Sequence, residues 1–180
     1  MGAAAAGLGL MLVSALERRP TTMQLVRYLL PAIPLALSAT AQAASVEIVD
    51  AQGVARTITR EQIDALAQRT VAANDHGTDT TFSGADLRDV LHASGIGTNE
   101  LRGPALRQIL LIEAADGYRI TMSLTELAPT LGNGSMLLAT SENGRSLPEA
   151  SGPFRLVIPS DKRAARWVRQ VSRLVIRQVE

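Results

Sequence analysis

The sequence predicts an α+β fold, and three observations carry that prediction. Helical and strand patterns follow one another without a regular βαβ rhythm, which argues against a doubly wound sheet. Two capping boxes, Thr59 with Gln62 and Ser123 with Glu126, open apolar turns that are short rather than long helices. Alternating apolar residues, Val46 with Ile48 near one end and Leu174–Val179 at the other, read as strands. Composition agrees: of 180 residues, 46% are hydrophobic and 19% charged, the balance of a folded chain rather than a disordered one.

Residues 1–43 are read as a leader and set aside from the fold. Gly2–Leu16 is apolar and runs into Glu17, Arg18, Arg19 and Pro20. Met23, taken as the true start, begins a secretory pattern: Arg27 as the positive region, Tyr28–Ser38 as the apolar region and Ala41-Gln42-Ala43 as the cleavage site. The apolar region is well short of the roughly 20 residues a membrane span needs. Cleavage therefore leaves no stable membrane insertion, and the expected location is the periplasm. What remains, 44–180, is expected to form one domain.

Within that domain, Val46, Ile48 and Val54 suggest a strand pair turning at Asp50–Gly53. The Thr59 box precedes Ile63, Leu66 and Ala67 at helical spacing. Asn74–Thr80 is polar and is read as a loop. Ser83 precedes a second helix with Leu87, Val90 and Leu91 on one face, and Gly95 supplies its left-handed end. Gln108–Glu113 is a buried strand. Asp116-Gly117 signals a type I′ hairpin into Tyr118, Ile120 and Met122. The Ser123 box opens a single turn with Leu124 and Leu127. Met136–Ala139 and Phe154–Ile158 are strands separated by a loop with Asn143-Gly144, and Leu174–Val179 closes the chain with Arg173 and Arg177 on its polar face.

The chemistry is narrowed by what is missing. Without cysteine there is no disulfide, thiolate metal site, iron–sulfur cluster or cysteine nucleophile. His76 and His92 are the two histidines; the first sits in a polar segment beside Asp75 and Asp79, the second on a short helix. A net charge of +1 gives no reason to bind nucleic acid. Gly95-x-Gly97 and Gly132-x-Gly134 are too short for nucleotide fingerprints. No catalytic constellation emerges.

The C-terminal segment is richer. The strand Phe154–Ile158 ends at Pro159, and the turn that follows presents Asp161, Lys162, Arg163, Arg166 and Arg169 around the single indole of Trp167. Guanidinium groups hold phosphate or carboxylate oxygens bidentately, and an indole face stacks on planar heterocycles. Two readings stand side by side: a site for a flat, oxygen-rich ligand, or a solvated basic turn with Trp167 capping the core.

Gly152–Ile158, the Lys162–Arg169 turn, Phe82–Leu91 and Ala115–Arg119 ahead of a Ser-Leu-x-Glu-Leu turn together resemble the oxidoreductase molybdopterin-binding domain of the sulfite-oxidase type. The resemblance spans most of Val46–Val179. It implies that Arg155 matches the family arginine that contacts the pyranopterin cofactor. It also places Trp167, Val168 and Arg169 on the stretch holding the pterin and its phosphate end. Three departures accompany it. Active members bind molybdenum through a cysteine thiolate near the segment corresponding to Val71–Asp75, where this chain has none. Ala150 stands where the family often has His or Asn, and Trp167 replaces a small or polar residue.

The resemblance thus implies a non-catalytic periplasmic pterin binder with no tightly bound cofactor. Small members of this kind signal to the periplasmic domains of membrane sensors, for example those governing cyclic-di-GMP turnover. In this picture the ring stacks on Trp167, while Arg155, Arg166 and Arg119 donate to oxygens. Asp161 either pairs with the amidine-like pterin edge or serves as a turn residue. The alternatives are a molybdopterin-dependent oxidoreductase with an unusual metal ligand, and a ligand-free structural relic.

Overall fold

The computed structural model describes Ala44–Glu180; the expected leader and its cleavage signal lie outside these residues. Two layers of strands, one mixed and one antiparallel, enclose one core. The first sheet has the order β2-β1-β10-β5-β6, with β1 Ser45–Val49, β2 Ala55–Thr59, β5 Gln108–Ala114, β6 Arg119–Ser123 and β10 Val171–Gln178. Its β1–β10 pair is parallel and its other pairs antiparallel. The second sheet runs β3-β4-β7-β8, with β3 Gln68–Asp75, β4 Thr78–Asp86, β7 Leu137–Glu142 and β8 Arg145–Ser146; β9 Arg155–Val157 pairs with β7 beside β8. Val46, Ile48, Leu110, Ile112 and Leu174 from the first sheet meet Phe82, Leu138 and Leu156 from the second in a single buried cluster. This is the α+β architecture the patterning predicts.

Both capping boxes form. Thr59 Oγ1 accepts from Gln62 N at 3.3 Å while Gln62 Oε1 accepts from Thr59 N at 2.8 Å, opening α1 Arg60–Asp64. That helix is only 5 residues long and buries Ile63, leaving Ala67 exposed beyond its end. The Ser123 box caps a 3₁₀ turn, Leu124–Leu127. The helix α2 spans Leu87–Ala93, and Gly95 closes it at φ +82°.

Four expectations need correction. Asn74–Thr80 is not an open loop but the end of the β3–β4 hairpin: His76 and Gly77 both have positive φ (51° and 95°), which closes a two-residue turn matching the sheet twist. Asn143-Gly144 makes the same kind of turn between β7 and β8, at φ 48° and 73°. At Asp116-Gly117 only the glycine is left-handed, φ 88°, and Gly117 N donates to Ala114 O at 3.1 Å. This is a turn followed by a glycine bulge, not type I′. Finally, Ser83 lies inside β4, and the helix cap is Asp86, whose Oδ1 accepts from Arg88 N at 3.0 Å.

Gly84 is placed by close approach. A Cβ there would overlap the carbonyl oxygen of Leu138 and come within 2.6 Å of Ala139 Cα, at the register shift where β4 meets β7. Only a residue without a side chain lets these two strands pair at that point.

Candidate functional site

Three chain segments converge at one end of the molecule: the β3–β4 hairpin tip, the β5–β6 turn, and the Lys162–Arg169 turn that follows β9. Two clefts open there, each of about 270 Å³. One is bounded by Asn74, His76, Gly77, Lys162 and Arg163, the other by Asp116, Tyr118, Trp167 and Arg169; His76, Ala164 and Ala165 border both. The turn's cations, exposed as Lys162, Arg163 and Arg169, flank this end.

Behind the clefts lies Arg155. Its side chain is 2% exposed, because β9 is covered by β7 and by the turn. The guanidinium carbon sits 5.1 Å from the Phe82 ring centre and 5.7 Å from that of Trp167. Delocalised cations are favoured against aromatic faces in this way. Nη2 donates to Asp75 Oδ1 at 2.9 Å, Nη1 lies 3.9 Å from Glu142, and Nε is buried without a hydrogen-bond partner among the described residues. Burial pushes the Asp75 carboxyl up, but the hydrogen bond and charge of Arg155, with His76 and Arg169 nearby, outweigh it and hold the group below the usual carboxylate range.

The expected stacking surface is not open. Trp167 is 5% exposed, meets Phe82 edge-on at 5.8 Å and 90°, and donates from Nε1 to Ile158 O at 3.1 Å. The indole is a wall of the cleft and a cap on the core, because its polar edge finds its partner inside. The exposed ring at this site is instead Tyr118, 48% accessible and tethered by its hydroxyl to Ala165 O at 2.8 Å.

Arg166 and Asp161 are also committed elsewhere. They form a bidentate pair, Nε–Oδ2 3.0 Å and Nη2–Oδ1 2.6 Å, and Arg166 Nη1 reaches Glu126 at 3.3 Å. The hydrogen bonds to Asp161 raise the Arg166 pKa further above its already high value, so the pair acts as a clasp fastening the turn to the Leu124–Leu127 segment. Val168 is fully buried, and its carbonyl is taken by Leu156 N at 2.8 Å. Arg119 stands off the cleft, paired with Glu113 at 3.1 Å in a row with Arg173 and Glu47 across the first sheet. Of the residues expected to face a ligand, Arg169 lines a cleft with an exposed side chain.

Sequence reasoning missed the Asp75–Arg155 pair and the place of Tyr118. The first joins residues 80 positions apart, which no local pattern reports. The second had a signal: a tyrosine just after a turn glycine, at the mouth of a hairpin.

The donor set does not suit molybdenum held through sulfur. The chain has no cysteine, and no cluster of three or more His, Asp or Glu with metal-binding geometry occurs among the described residues. The nearest carboxylates, Asp75 and Glu142, already balance Arg155. A soft, thiolate-tuned metal has nothing here to replace that ligand.

Residues 41–180 match the family described as oxidoreductase molybdopterin binding domain. No curated protein matches the chain. Among solved structures, the fold is similar to that of the sulfane dehydrogenase SoxCD from Paracoccus pantotrophus, with a TM-score of 0.58 and 18% identity over 74% of this chain. The match spans 38% of that protein's chain, and at this identity the likeness concerns the fold. With the match running from before β1 to the last residue, the chain belongs to the oxidoreductase molybdopterin binding domain family.

Proposed function

We propose that this protein is a non-catalytic pterin-binding domain that works in the periplasm and presents its ligand state to the periplasmic part of a membrane sensor. The observation that carries the reading is the cation-flanked pair of clefts beside Tyr118 and Trp167, in a family fold that lacks the sulfur anchor for metal. The pterin ring rests against Tyr118, with the Trp167 indole as the cleft wall. Asp116 accepts from the amino and ring N–H edge, an acceptor-only group facing a donor pair. Arg169, Lys162 and Arg163 hold an anionic side chain or phosphate. Export rests on the secretory pattern of Met23–Ala43.

The test is a thermal-shift series on the full-length chain with oxidised and reduced pterins, with and without a phosphate group. A specific ligand at 100 times its dissociation constant adds about 2.7 kcal/mol of stability and a corresponding rise in Tm. No shift with any pterin removes the proposal. Stoichiometric molybdenum in the purified protein replaces it with an oxidoreductase reading.

A further inference from the structure

We propose that Asp75 is a built-in competitor for the anion seat of Arg155, so that an anionic ligand takes that seat only by releasing the tip of the β3–β4 hairpin. The inference rests on the anion-binding part of the reading above and adds a gate to it.

The seat is incompletely filled. A guanidinium carries five N–H donors in a fork suited to two acceptor oxygens. Arg155 spends Nη2 on a single Asp75 oxygen, while its buried Nε has no partner among the described residues and Glu142 stays at 3.9 Å. A finished structural pair would satisfy that Nε, because a buried donor left unpaired is costly. A carboxylate or phosphate with two free oxygens satisfies it better than Asp75 does.

The occupant sits on a movable part. Asp75 is the last residue of β3, an edge strand that pairs with β4 on one side, and its ladder partner Thr78 lies across the two-residue turn. Its neighbours Asn74 and His76 line the cleft, so withdrawing Asp75 joins the cleft to Arg155. The tip is held by short-range bonds, Gly77 N to Asn74 Oδ1 at 2.8 Å and Asn74 Nδ2 to Asp79 Oδ1 at 2.8 Å. Ends of exposed hairpins open at low cost without unfolding the rest. Arg169 lies outside the tip and stays close to where Asp75 was, so the entering anion keeps a second cation beside Arg155.

The experiment compares the full-length chain with Asp75→Asn, using inorganic phosphate and 6-carboxypterin as anionic probes and pterin itself as the neutral control. The variant binds both anions about tenfold tighter than the parent, with pterin binding unchanged. In the wild-type protein, saturating phosphate or 6-carboxypterin speeds amide exchange at residues 74–78, and pterin does not; this measurement decides the matter should the variant not fold. Equal anion affinity in variant and parent, or hairpin amides that stay unchanged or gain protection in the parent, overturns the gate. If no pterin binds either protein while phosphate still binds the variant more tightly, the pterin reading falls and the gate stands.

Discussion

Arg155 and Asp75 meet at 2.9 Å across 80 positions of sequence, joining the strand before the basic turn to the tip of the β3–β4 hairpin. The pair is asymmetric: the arginine is 2% exposed and the aspartate side chain 17%. The cation is therefore the deeply buried member, held by two rings as well as by the carboxylate. Breaking such a pair from one side is costly chiefly because the other charge is left behind.

Replacing Arg155 with methionine keeps much of the apolar packing against Phe82 and Trp167 but strands Asp75 in its pocket. The expected loss is about 3 kcal/mol, at the low end for a broken buried pair because Asp75 retains some contact with water. Urea unfolding reads this as a lower midpoint at unchanged slope. A midpoint within error of the parent would mean the pair contributes nothing.

Acid titration gives the same pair a second signature. Asp75 has a folded pKa below its unfolded value, so its contribution is complete above about pH 4 and is lost as pH falls through the lowered folded value. In Arg155→Met, burial acts on Asp75 without its main counter-charge and pushes the group up. Its folded value then lies above the unfolded one, so protonation relieves a penalty in the variant where it removes a stabilising charge in the parent, and the stability gap between the two proteins narrows as pH falls. Urea midpoints taken at intervals across pH 2–6 measure it, and a gap that stays constant with pH would contradict the assignment.

The framework of this fold was legible where a local pattern has a local cause. Thr59 with Gln62 and Ser123 with Glu126 form their boxes because each bond spans three residues. β5 follows from its apolar run, expected over Gln108–Glu113 and found over Gln108–Ala114, whereas β10 begins at Val171, three residues before the expected Leu174, and buries Leu174, Val175 and Ile176 together instead of alternating. The hairpin tip at His76-Gly77 was hidden because polar residues populate both strands leading to it, leaving no hydrophobic alternation to betray them. The site was less legible still. Lys162–Arg169 announced itself by composition, yet charge counting cannot tell that Arg166 is clasped by Asp161 or that Arg119 belongs to a row on the sheet. Those assignments depend on which acid lies within reach in three dimensions.

Gly84 illustrates a residue whose meaning appears only in the fold. An alanine there drives its Cβ into the Leu138 carbonyl, and both colliding groups are backbone that cannot swing away. Gly84→Ala is expected to cost about 3 kcal/mol, the upper part of the range for overpacking. The matching fall in Tm is on the order of 10 °C for a domain of this size. Thermal melts followed by far-ultraviolet circular dichroism check it, and an unshifted melt would show that β4 and β7 part easily.

The two aromatic residues of the cleft should separate binding from stability. Tyr118 presents nearly half of its surface and is steadied by one hydrogen bond, so it has a ring to offer at little ordering cost. Trp167 has its Nε1 and its ring engaged inside, so it supports the wall rather than touching the ligand broadly. Removing the ring in Tyr118→Ala therefore weakens pterin binding by about tenfold or more, the scale of one lost stacking contact, with little change in Tm. Trp167→Phe does the reverse: it forfeits the bond to Ile158 and part of the packing, lowering stability by about 1–3 kcal/mol. Its dissociation constant stays close to that of the parent protein. Isothermal calorimetry with pterin, paired with a thermal melt of each variant, resolves the two effects. A Tyr118→Ala protein that binds as tightly as the parent, beside a Trp167→Phe protein that melts normally but no longer binds, would return the stacking role to the indole.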